Sequence, residues 1–415
     1  MSIKRFYIKL GDICEITSSK RIFMSDYVSS GIPFYRSKEI IEKQSGKNIP
    51  TGLFISEEKY AKIKNKYSVP QTNDILLTSV GTLGIPYLVK EGEKFYFKDG
   101  NLIWIKKSNN MHSRFLYYFF ISKEGKSKLE NISIGTTQRA LTIVGLKNLT
   151  IDIPSLNTQK QIASTLSSLD AKIELNNAIN NNLEQQAQAL FKSWFVENEN
   201  PERKIIKAED FFDISIGKTP PRKEQEWFSK NQNNNVIWVS ISDMGSCGTF
   251  ISDSSEYLTK EAISKFNIKI VPDNTILLSF KLTIGRIAIS DGEIATNEAI
   301  AHFVTDKKEI NEYLYCYLKN FSFQTMGSTS SIATAVNSKI IKAMPFILPA
   351  QKELNDFHRI TKPIFDQIKA NQKENKTLAE LRDALLPKLM SGEIDVSNVK
   401  IDDLLPTDKL SFTKE

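Results

Sequence analysis

The sequence VPQTNDILLTS at Val69–Ser79 returns in nearly the same form as VPDNTILLS at Val271–Ser279. Each run continues to a Thr-x-Gly triplet, at Thr82–Gly84 and Thr283–Gly285. The matched pairs are separated by about 190 to 205 residues, which indicates one duplication and not an array of many short repeats. Further pairs extend the match through each half: LGDI at 10–13 with FDI at 212–214, GIPFYRSK at 31–38 with VIWVSISD at 236–243, and GTTQ at 135–138 with GSTS at 327–330.

Both halves combine predicted strands with predicted helices. Short β-branched and aromatic runs, punctuated by Gly, Pro and Asn, predict strands. These runs are Ile75–Val80, Phe95–Phe97, Leu102–Ile105, Val236–Ile241, Ile276–Phe280 and Arg286–Ile289. Aromatic and Leu residues at helical spacing predict helices at Arg114–Ile121 and Glu312–Leu318. The predicted fold class is therefore α+β, with two similar mixed domains in a pseudo-twofold internal repeat.

A long helix follows each globular half. Residues 157–196 contain no Gly or Pro, and their apolar residues recur at steps of three and four, which predicts a helix on the order of 55–60 Å long. A second such run occupies Gln351–Met390, where Pro363 is expected to begin or kink the main segment. For two helices of equal length joined by a whole domain, the simplest arrangement is an antiparallel coiled coil. The predicted boundaries are a first domain at 1–155, a central helix at 156–200, a second domain at 201–350, a C-terminal helix at 351–392 and a tail at 393–415.

Asparagines interrupt both helices at mid-length. They are Asn176, Asn177, Asn180, Asn181 and Asn182 in the first helix and Asn371 and Asn375 in the second. Solvent exposure is the expectation for most of them. The alternative is that some are buried in the seam, where polar residues cost stability but fix register and pairing direction.

Composition limits the functional classes. The chain has 415 residues and a formal net charge of +7, and residues 1–150 alone carry 24 basic and 13 acidic residues whereas residues 201–350 carry 17 of each. An anionic partner such as nucleic acid is favoured, and the first domain should dominate nonspecific attraction to phosphates. The three Cys and three His are scattered, which argues against disulfides and a zinc site and fits a reducing cytoplasm. No uncharged apolar stretch is long enough to predict a membrane span.

Motifs for catalysis are missing. The only Pro-Pro, at Pro220–Pro221, is followed by Arg222 where an aminomethyltransferase loop needs an aromatic residue. Gly217–Thr219 resembles the end of a phosphate-binding loop, but Phe212 stands where its first Gly is required. Pro272–Asp273 with Asp306–Lys308 matches a metal-nuclease pattern only superficially. We therefore predict no catalytic residue, no metal ligand and no cofactor bound by this chain.

The duplicated plan, the junction from Pro154 to Gln161, the run LFKSWF at Leu190–Phe195 and above all LRDALLPKLMSGEI at Leu381–Ile394 resemble the specificity subunits of Type I restriction–modification systems. The resemblance covers nearly the whole chain. It implies two target-recognition domains, each reading one half of a split, asymmetric DNA sequence, held apart by two helices that act as a ruler. It also implies two modification subunits, which methylate adenine with S-adenosylmethionine, and restriction subunits that use ATP and Mg²⁺. The first half carries Gln138 before the junction, but the second half lacks the equivalent Gln.

Contacts to double-stranded DNA require cations for phosphates and short polar or amide side chains for base edges, on loops that strands present. A surface Lys is usually only solvated, and Ser or Thr beside Gly usually serves a turn, so these residues are candidates. In the first domain they are Arg36, Ser37, Lys38, Lys43, Lys47, Thr78, Ser79, Thr82, Thr136, Thr137, Gln138 and Arg139. In the second they are Lys218, Thr219, Arg222, Lys223, Ser240, Ser242, Lys281, Thr283, Arg286, Ser328, Thr329 and Ser330. Arg36, Arg139, Arg222 and Arg286 are the strongest phosphate or guanine ligands, because only Arg offers a bidentate fork.

The expected docking surface for the modification subunits is the exposed apolar face of the helices, with Phe191, Trp194 and Phe195 as large candidates. Core packing against the neighbouring domain accounts equally well for these three rings. Three rival functions remain: an equivalent recognition subunit of another modification or defence system, such as a Type II enzyme with detached specificity, a protein-only scaffold, and an autonomous methyltransferase.

Overall fold

The computed structural model describes residues 5–44, 51–136, 139–323 and 337–396. The chain forms two compact units. Unit 1 combines residues 1–172 with residues 377–415, and unit 2 comprises residues 173–376. Each unit thus contains one globular half together with part of each long helix, whereas the sequence-based boundaries assigned each helix a segment of its own.

Unit 1 contains two four-stranded sheets and a two-stranded ribbon. The strands are β1 (Arg5–Lys9), β2 (Ile16–Thr17), β3 (Tyr27–Val28), β4 (Ile32–Tyr35), β5 (Phe54–Ile55), β6 (Ile75–Thr78), β7 (Pro86–Leu88), β8 (Tyr96–Phe97), β9 (Leu102–Ile105) and β10 (Thr150–Pro154). The helices are α1 (Leu10–Ile13), α2 (Ser37–Gln44), α3 (Glu57–Tyr67), α4 (Ser113–Ile121), α5 (Lys123–Ile132), α6 (Ile143–Lys147) and the start of α7 (Leu156–Phe191). The sheet orders are β2-β9-β6-β7 and β3-β5-β4-β8, and β1 pairs with β10.

Unit 2 repeats this topology. Its strands are β11 (Lys204–Lys207), β12 (Asp213–Ile216), β13 (Phe228–Ser229), β14 (Val236–Val239), β15 (Phe250–Ile251), β16 (Tyr257–Leu258), β17 (Ile276–Ser279), β18 (Ile287–Ser290), β19 (Ala295–Thr296), β20 (Ile300–Val304) and β21 (Pro345–Leu348). Its helices are α8 (Ile241–Ser246), α9 (Lys260–Lys265), α10 (Asn311–Asn320), α11 (Ser338–Lys342) and part of α12 (Gln351–Ser391). The orders β12-β20-β17-β18-β15 and β13-β16-β14-β19 match unit 1 strand for strand, with β15 added at one edge. The predicted α+β duplication is confirmed.

The quoted repeat forms a turn and the buried strand that follows it. Asn73 and Asn274 adopt φ of 72° and 56°, a left-handed conformation that Asn tolerates better than most residues. All four residues of β6 and all four of β17 are buried. In unit 1 the carboxylate of Asp74 fixes the turn, accepting bonds from the Gln71 and Lys107 backbone N–H groups and from Trp104 Nε1. The repeat is therefore retained where a tight turn must open a strand buried on both faces.

Both long helices are continuous, as predicted, and α12 passes through Pro363 without a break. The expectation that Pro363 begins the main segment is wrong. Proline removes one helical hydrogen bond, but Pro363 lies on an exposed face, where water can reach the freed carbonyl of Arg359. Phe357 and Phe365, on either side of it, are buried in the core of unit 2 and hold both turns in place. Helix α7 ends at Phe191, with one π-helical turn at Lys192–Val196, short of the predicted residue 200.

The motif at Leu381–Ile394 packs within unit 1. Leu386, Leu389 and Met390 are buried in the same core as Leu166 of α7. Arg382 donates to the Asp170 carboxylate at 2.8 Å, and Tyr118 donates to the other oxygen of that carboxylate at 2.5 Å. The motif thus joins the end of α12 to the start of α7 and to the globular half.

Within unit 2, asparagines form the seam between α7 and α12. Asn176 is fully buried, and its Nδ2 donates to Glu374 at 2.7 Å and to Asn375 Oδ1 at 2.9 Å. Asn371 Nδ2 donates to Asn180 Oδ1 at 2.8 Å. Pairing residue 176 with 375 and 180 with 371 makes the helices antiparallel. A one-turn slip would break these amide bonds, so the seam asparagines fix the register.

We predict that Asn176→Ala lowers the free energy of unfolding by roughly 1–3 kcal/mol, because the fully buried Asn176 amide no longer donates to Asn375 Oδ1 and to the Glu374 carboxylate. Urea denaturation of the full chain measures this change. Asn181→Ala is the matched control, since Asn181 is exposed on the same helix and its loss should cost less than about 0.5 kcal/mol. Equal effects of the two substitutions would contradict the register role.

Candidate nucleic-acid interface

In unit 1 one turn gathers the loops in which DNA contacts were predicted. This turn, Lys98–Asn101, links β8 to β9, and we call it hub 1. The Lys98 N–H donates to the Tyr35 carbonyl at 2.9 Å, next to Arg36. The Asn101 carbonyl accepts from the Ser79 N–H at 2.9 Å and from the Ser37 hydroxyl at 3.1 Å. Gly100, at φ 76°, supplies the left-handed step that the turn requires.

Unit 2 contains the equivalent turn, Thr296–Ala299, which we call hub 2. The Asn297 N–H donates to the Val239 carbonyl at 3.0 Å, beside Ser240. The Ala299 carbonyl accepts from the Phe280 N–H, and the Thr296 carbonyl from the Lys218 N–H, both at 2.9 Å. In both units, then, loops distant in sequence are brought to one edge by the same type of backbone contact.

A buried hydroxyl shapes the loop that follows β6 in unit 1 and the loop that follows β17 in unit 2. We call residues 79–84 tip loop 1 and residues 280–285 tip loop 2. The Thr78 hydroxyl donates to the Thr82 carbonyl at 2.5 Å and accepts from the Ile85 N–H at 2.9 Å. The Ser279 hydroxyl does the same with the Thr283 carbonyl at 2.6 Å and the Arg286 N–H at 3.0 Å. Gly84 and Gly285 close both loops at positive φ. The two tip loops therefore have one backbone design.

This geometry corrects part of the sequence-based assignment. Thr78 and Ser79 are buried, at 0% and 2% exposure, and both hydroxyls are bonded within the chain. They shape tip loop 1 and do not present side chains to a ligand. The exposed tip residues are Gly81 and Thr82 in unit 1 and Lys281, Leu282 and Thr283 in unit 2.

The two arginines predicted as DNA contacts in unit 1 are bonded within the chain but keep exposed side-chain surface. Arg36 forms a bidentate pair with Glu39, at 2.6 and 3.2 Å, while 45% of its side chain stays exposed. Burial alone would raise the pKa of Glu39, but the hydrogen bonds from Arg36 lower it overall, so the carboxylate stays charged. Arg139 is exposed and donates to the Glu130 carbonyl, at 2.6 Å. Lys38 is 71% exposed, and its ammonium lies 3.9 Å from Glu42.

The segment of Arg139 lies against tip loop 1. Ala140 forms bridges with Val80 and Ile134, and the Leu141 N–H donates to the Ser79 carbonyl at 2.9 Å. Thr136 is exposed at the same edge. Other predicted contacts lie outside the described residues, namely Lys47, Thr137, Gln138, Ser328, Thr329 and Ser330. Lys43 is directed inward to Glu93 at 2.8 Å.

In unit 2, Arg222 lies on an aromatic platform. Its guanidinium carbon is 4.4 Å from the Phe228 ring centroid and 4.6 Å from that of Trp238, and Nη1 donates to Glu256 at 2.7 Å. About half of its side chain remains exposed, at 49%. Stacking of this kind orients the guanidinium plane in advance of binding. Beside it, Lys223 is exposed, Lys218 Nζ donates to the Phe266 carbonyl, and the Thr219 hydroxyl bonds Glu298 of hub 2.

The side chains of Arg286 and Ser240 form hydrogen bonds that hold local structure in unit 2. Arg286 Nη1 donates to the Ile241 carbonyl at 2.5 Å, and a Cβ on Gly245 would lie 2.4 Å from that same atom. Gly245 therefore makes room for the guanidinium. The Ser240 hydroxyl caps α8 by bonding with Asp243, whereas Ser242 is exposed. Of these three predicted contacts, only Ser242 is presented freely.

Phe191 and Phe195 are buried in the core of unit 2, at 3% and 8% exposure. Both rings pack on Tyr313 and Phe357, and Trp194 packs against the Phe357 ring at 6.0 Å. The prediction that these aromatics form an exposed docking face is thereby corrected. These three rings, at the end of α7 and in the turn after it, pack against the domain that follows them. This is the alternative stated from sequence.

Sequence reasoning missed Lys20 and Arg21. Arg21 is 71% exposed and lies 3.4 Å from Asp99 of hub 1. The Lys20 N–H bonds the Tyr96 hydroxyl, and its ammonium lies 4.7 Å from the Tyr67 ring centroid. The repeat could have identified them: Lys20 and Arg21 follow β2 in the same way that the predicted contacts Lys218–Arg222 follow β12. Both cations extend the basic edge of unit 1.

His302 is a core residue. It is fully buried, and its ring nitrogens contact the hydroxyls of Ser215 at 3.0 Å and Thr296 at 2.7 Å. Burial lowers the pKa of His302 to about 4, so the ring is neutral and supports hub 2 through Thr296. Among the described residues no cluster of three or more His, Cys, Asp or Glu has the arrangement of a metal site, and no helix is long and apolar enough to cross a membrane.

Known proteins share this duplicated architecture. A family model described as the Type I restriction modification DNA specificity domain matches residues 6–185 and again residues 201–382. The specificity subunit of the type I restriction enzyme MjaIX from Methanocaldococcus jannaschii is 27% identical, covering 94% of each chain. That of HindI from Haemophilus influenzae is 26% identical, covering 69% of this chain and 78% of the relative. A crystal structure of a Type-I S subunit from M. genitalium shares the fold with a TM-score of 0.56 at 17% identity, covering 93% of this chain and 96% of that one.

A twice-occurring DNA specificity domain with long helices defines a class of DNA-recognition protein. The chain belongs to the family of Type I restriction–modification specificity subunits, and the resemblance drawn from Leu381–Ile394 is confirmed.

Replacing Ser279 with Ala should loosen tip loop 2, because the Arg286 N–H and the Thr283 carbonyl lose their shared partner. We expect amide hydrogen exchange in residues 280–286 to become about ten-fold faster, a loss of roughly 1.4 kcal/mol of local stability. Ser242→Ala, which removes an exposed hydroxyl, should leave exchange unchanged. Unaltered exchange in the Ser279→Ala protein would contradict the anchoring role.

Proposed function

We propose that the chain is the non-catalytic recognition subunit of a Type I restriction–modification complex, and that each globular half reads one half of a bipartite, asymmetric DNA target. One observation carries this proposal: the two halves share a loop scaffold but differ in the side chains it presents. Tip loop 1 presents Gly81 and Thr82, whereas tip loop 2 presents Lys281, Leu282 and Thr283. Identical scaffolds with different tips suit two different half-sites.

The two halves differ in formal net charge, and we propose that they contact DNA phosphates differently. Residues 1–150 carry a formal net charge of +11 and residues 201–350 a net charge of zero. Lys20, Arg21, Lys38 and Arg139 would supply phosphate contacts in the first half. The second half would depend on a few placed cations, above all the stacked Arg222. Base contacts would come from the tip loops and the exposed hydroxyls beside them.

The helices would set the spacing between the half-sites. Both α7 and α12 contribute residues to both units, and seam asparagines fix their register. A fixed register holds a fixed distance, which a split target requires. We further propose that exposed faces of these helices bind two modification subunits, which would methylate adenine with S-adenosylmethionine. Restriction subunits using ATP and Mg²⁺ would complete the complex in the cytoplasm.

The rival functions predict different behaviour. A protein-only scaffold would show no salt-dependent affinity for duplex DNA, and an autonomous methyltransferase would bind S-adenosylmethionine by itself. A recognition subunit of another modification system would bind DNA equally well but assemble with different enzymes. Purification with the co-expressed modification subunits, followed by DNA binding at several salt concentrations, separates these cases.

Exchanging residues 5–154 with residues 204–348, while keeping both helices in place, should invert the order of the two half-sites, because each half carries its own reading loops. Methylome sequencing of a host that expresses the exchanged chain with the modification subunits measures the methylated motif. The unexchanged chain, expressed with the same subunits, is the control. An unchanged motif would contradict the modular assignment.

Arg139→Ala should weaken binding to cognate duplex DNA by about three- to ten-fold at fixed salt and reduce the slope of log affinity against log salt by about 0.9, as expected for one lost phosphate contact. Fluorescence anisotropy across a salt series gives both quantities. Arg359→Ala is the matched control, because Arg359 is also exposed but lies on α12, paired with Asp356. Equal affinity and slope for the two variants would remove Arg139 from the interface.

A further inference from the structure

Leu282 is the most exposed large apolar residue that the described chain contains, at 98% exposure. It forms the tip of loop 2 and adopts φ of 61°, in the left-handed region that a branched side chain rarely enters. Its counterpart at the tip of loop 1 is Gly81, at φ 79°, which pays no such steric penalty. The fold itself therefore accepts Gly here, and Leu brings both strain and exposed apolar surface.

Hydrogen bonds at both ends of the loop hold the backbone that carries Leu282. Ser279 anchors both arms of the loop, and the Phe280 N–H ties it to hub 2 at 2.9 Å. The neighbours of Leu282 are an ammonium group, on Lys281, and a hydroxyl group, on Thr283, and both are exposed. One tip thus combines a cation for phosphate, a hydroxyl for a base edge and an isobutyl group.

Among base edges, the thymine methyl group is the feature most complementary to an isobutyl group, and its contact leaves the duplex undisturbed. The C5-methyl group of thymine projects into the major groove, where apolar side chains contact it. We propose that Leu282 contacts a thymine methyl group in the half-site read by unit 2, and so specifies an A·T pair there. This inference rests on the proposed function, because it requires that the tip loops face DNA.

Insertion of Leu282 between two base pairs is the less favourable alternative. Unstacking a base step costs a few kcal/mol, which offsets the roughly 1.5–3 kcal/mol gained by burying one leucine side chain, and proteins that insert wedges recover the cost by wrapping sharply bent DNA. Contact with a methyl group carries no unstacking cost. The polar neighbours at this tip also suit a groove in which base edges are displayed.

Substitution of deoxyuridine for single thymines tests the proposal, because it deletes only the methyl group. Once methylome sequencing has given the target, duplexes with one deoxyuridine at each A·T pair in turn are titrated with the full chain and its modification subunits. For the native chain we expect one position in one half-site to lose about four-fold in affinity, the value of one buried methyl group. For Leu282→Gly, which retains the loop conformation seen at Gly81, deoxyuridine at that position should have no effect.

Two controls make the result specific. Ile205→Ala removes another exposed apolar side chain of unit 2, at 76% exposure on β11, and should leave the deoxyuridine effect intact. Any change in affinity caused by deoxyuridine in the half-site read by unit 1 should be the same for the native chain and for Leu282→Gly, because Leu282 belongs to unit 2.

Several outcomes would overturn the inference. They are the absence of a deoxyuridine effect on the native chain, an equal effect on Leu282→Gly, a rise in 2-aminopurine fluorescence that depends on Leu282, which indicates insertion, and weakened assembly with the modification subunits, which indicates a protein contact. If the native complex shows no sequence preference at all, the proposed function fails as well. A complex that discriminates normally with Leu282→Gly contradicts only the methyl contact.

Discussion

The buried hydroxyl at the end of the central strand is the interaction on which each tip loop depends. Thr78 and Ser279 each satisfy a carbonyl and an N–H across a loop of six residues, and neither residue contacts solvent. A loop closed in this way needs no side chain of its own to hold its shape. Its tip residues are consequently free to change, as the difference between Gly81 and Leu282 shows, while the strand below stays constant.

The two hubs, like the two tip loops, are held by contacts that do not depend on the exposed side chains. Hub 1 and hub 2 join neighbouring loops through backbone N–H and carbonyl groups, which every residue except proline carries. Loop sequences can therefore diverge between the halves without loss of these bonds. This explains why the duplication is plain in VPQTNDILLTS and its counterpart but weak in the loops. The strands carry packing constraints, and the loops would carry the recognition that we propose.

Sequence periodicity predicted the helices and the duplication because both follow from burial. It located β6, β17, α4 and α10 within a residue or two, and it found the starts of α7 and α12. It left open whether α12 begins at Pro363 or continues through it, since exposure of that turn depends on tertiary packing. It assigned Thr78 and Ser79 to the interface because a hydroxyl beside a glycine looks alike in sequence whether it faces water or anchors a loop. Burial of Asn176 was likewise foreseen only as an alternative, because α7 has five asparagines near its middle and only the partner helix determines which of them enter the seam.

The cations of the candidate interface are mostly held by partners within the chain, and this arrangement favours recognition over simple attraction. Arg36 and Arg222 each retain about half their side-chain exposure beside a carboxylate. Exposed ion pairs contribute only about 0–1 kcal/mol, so a phosphate or guanine can share such an arginine at little cost. The carboxylate and, for Arg222, the aromatic platform orient the guanidinium in advance, which under the proposed function would reduce the entropy lost on DNA binding. A neutral second half would then bind as specifically as a basic first half, because placement would compensate for the smaller number of charges.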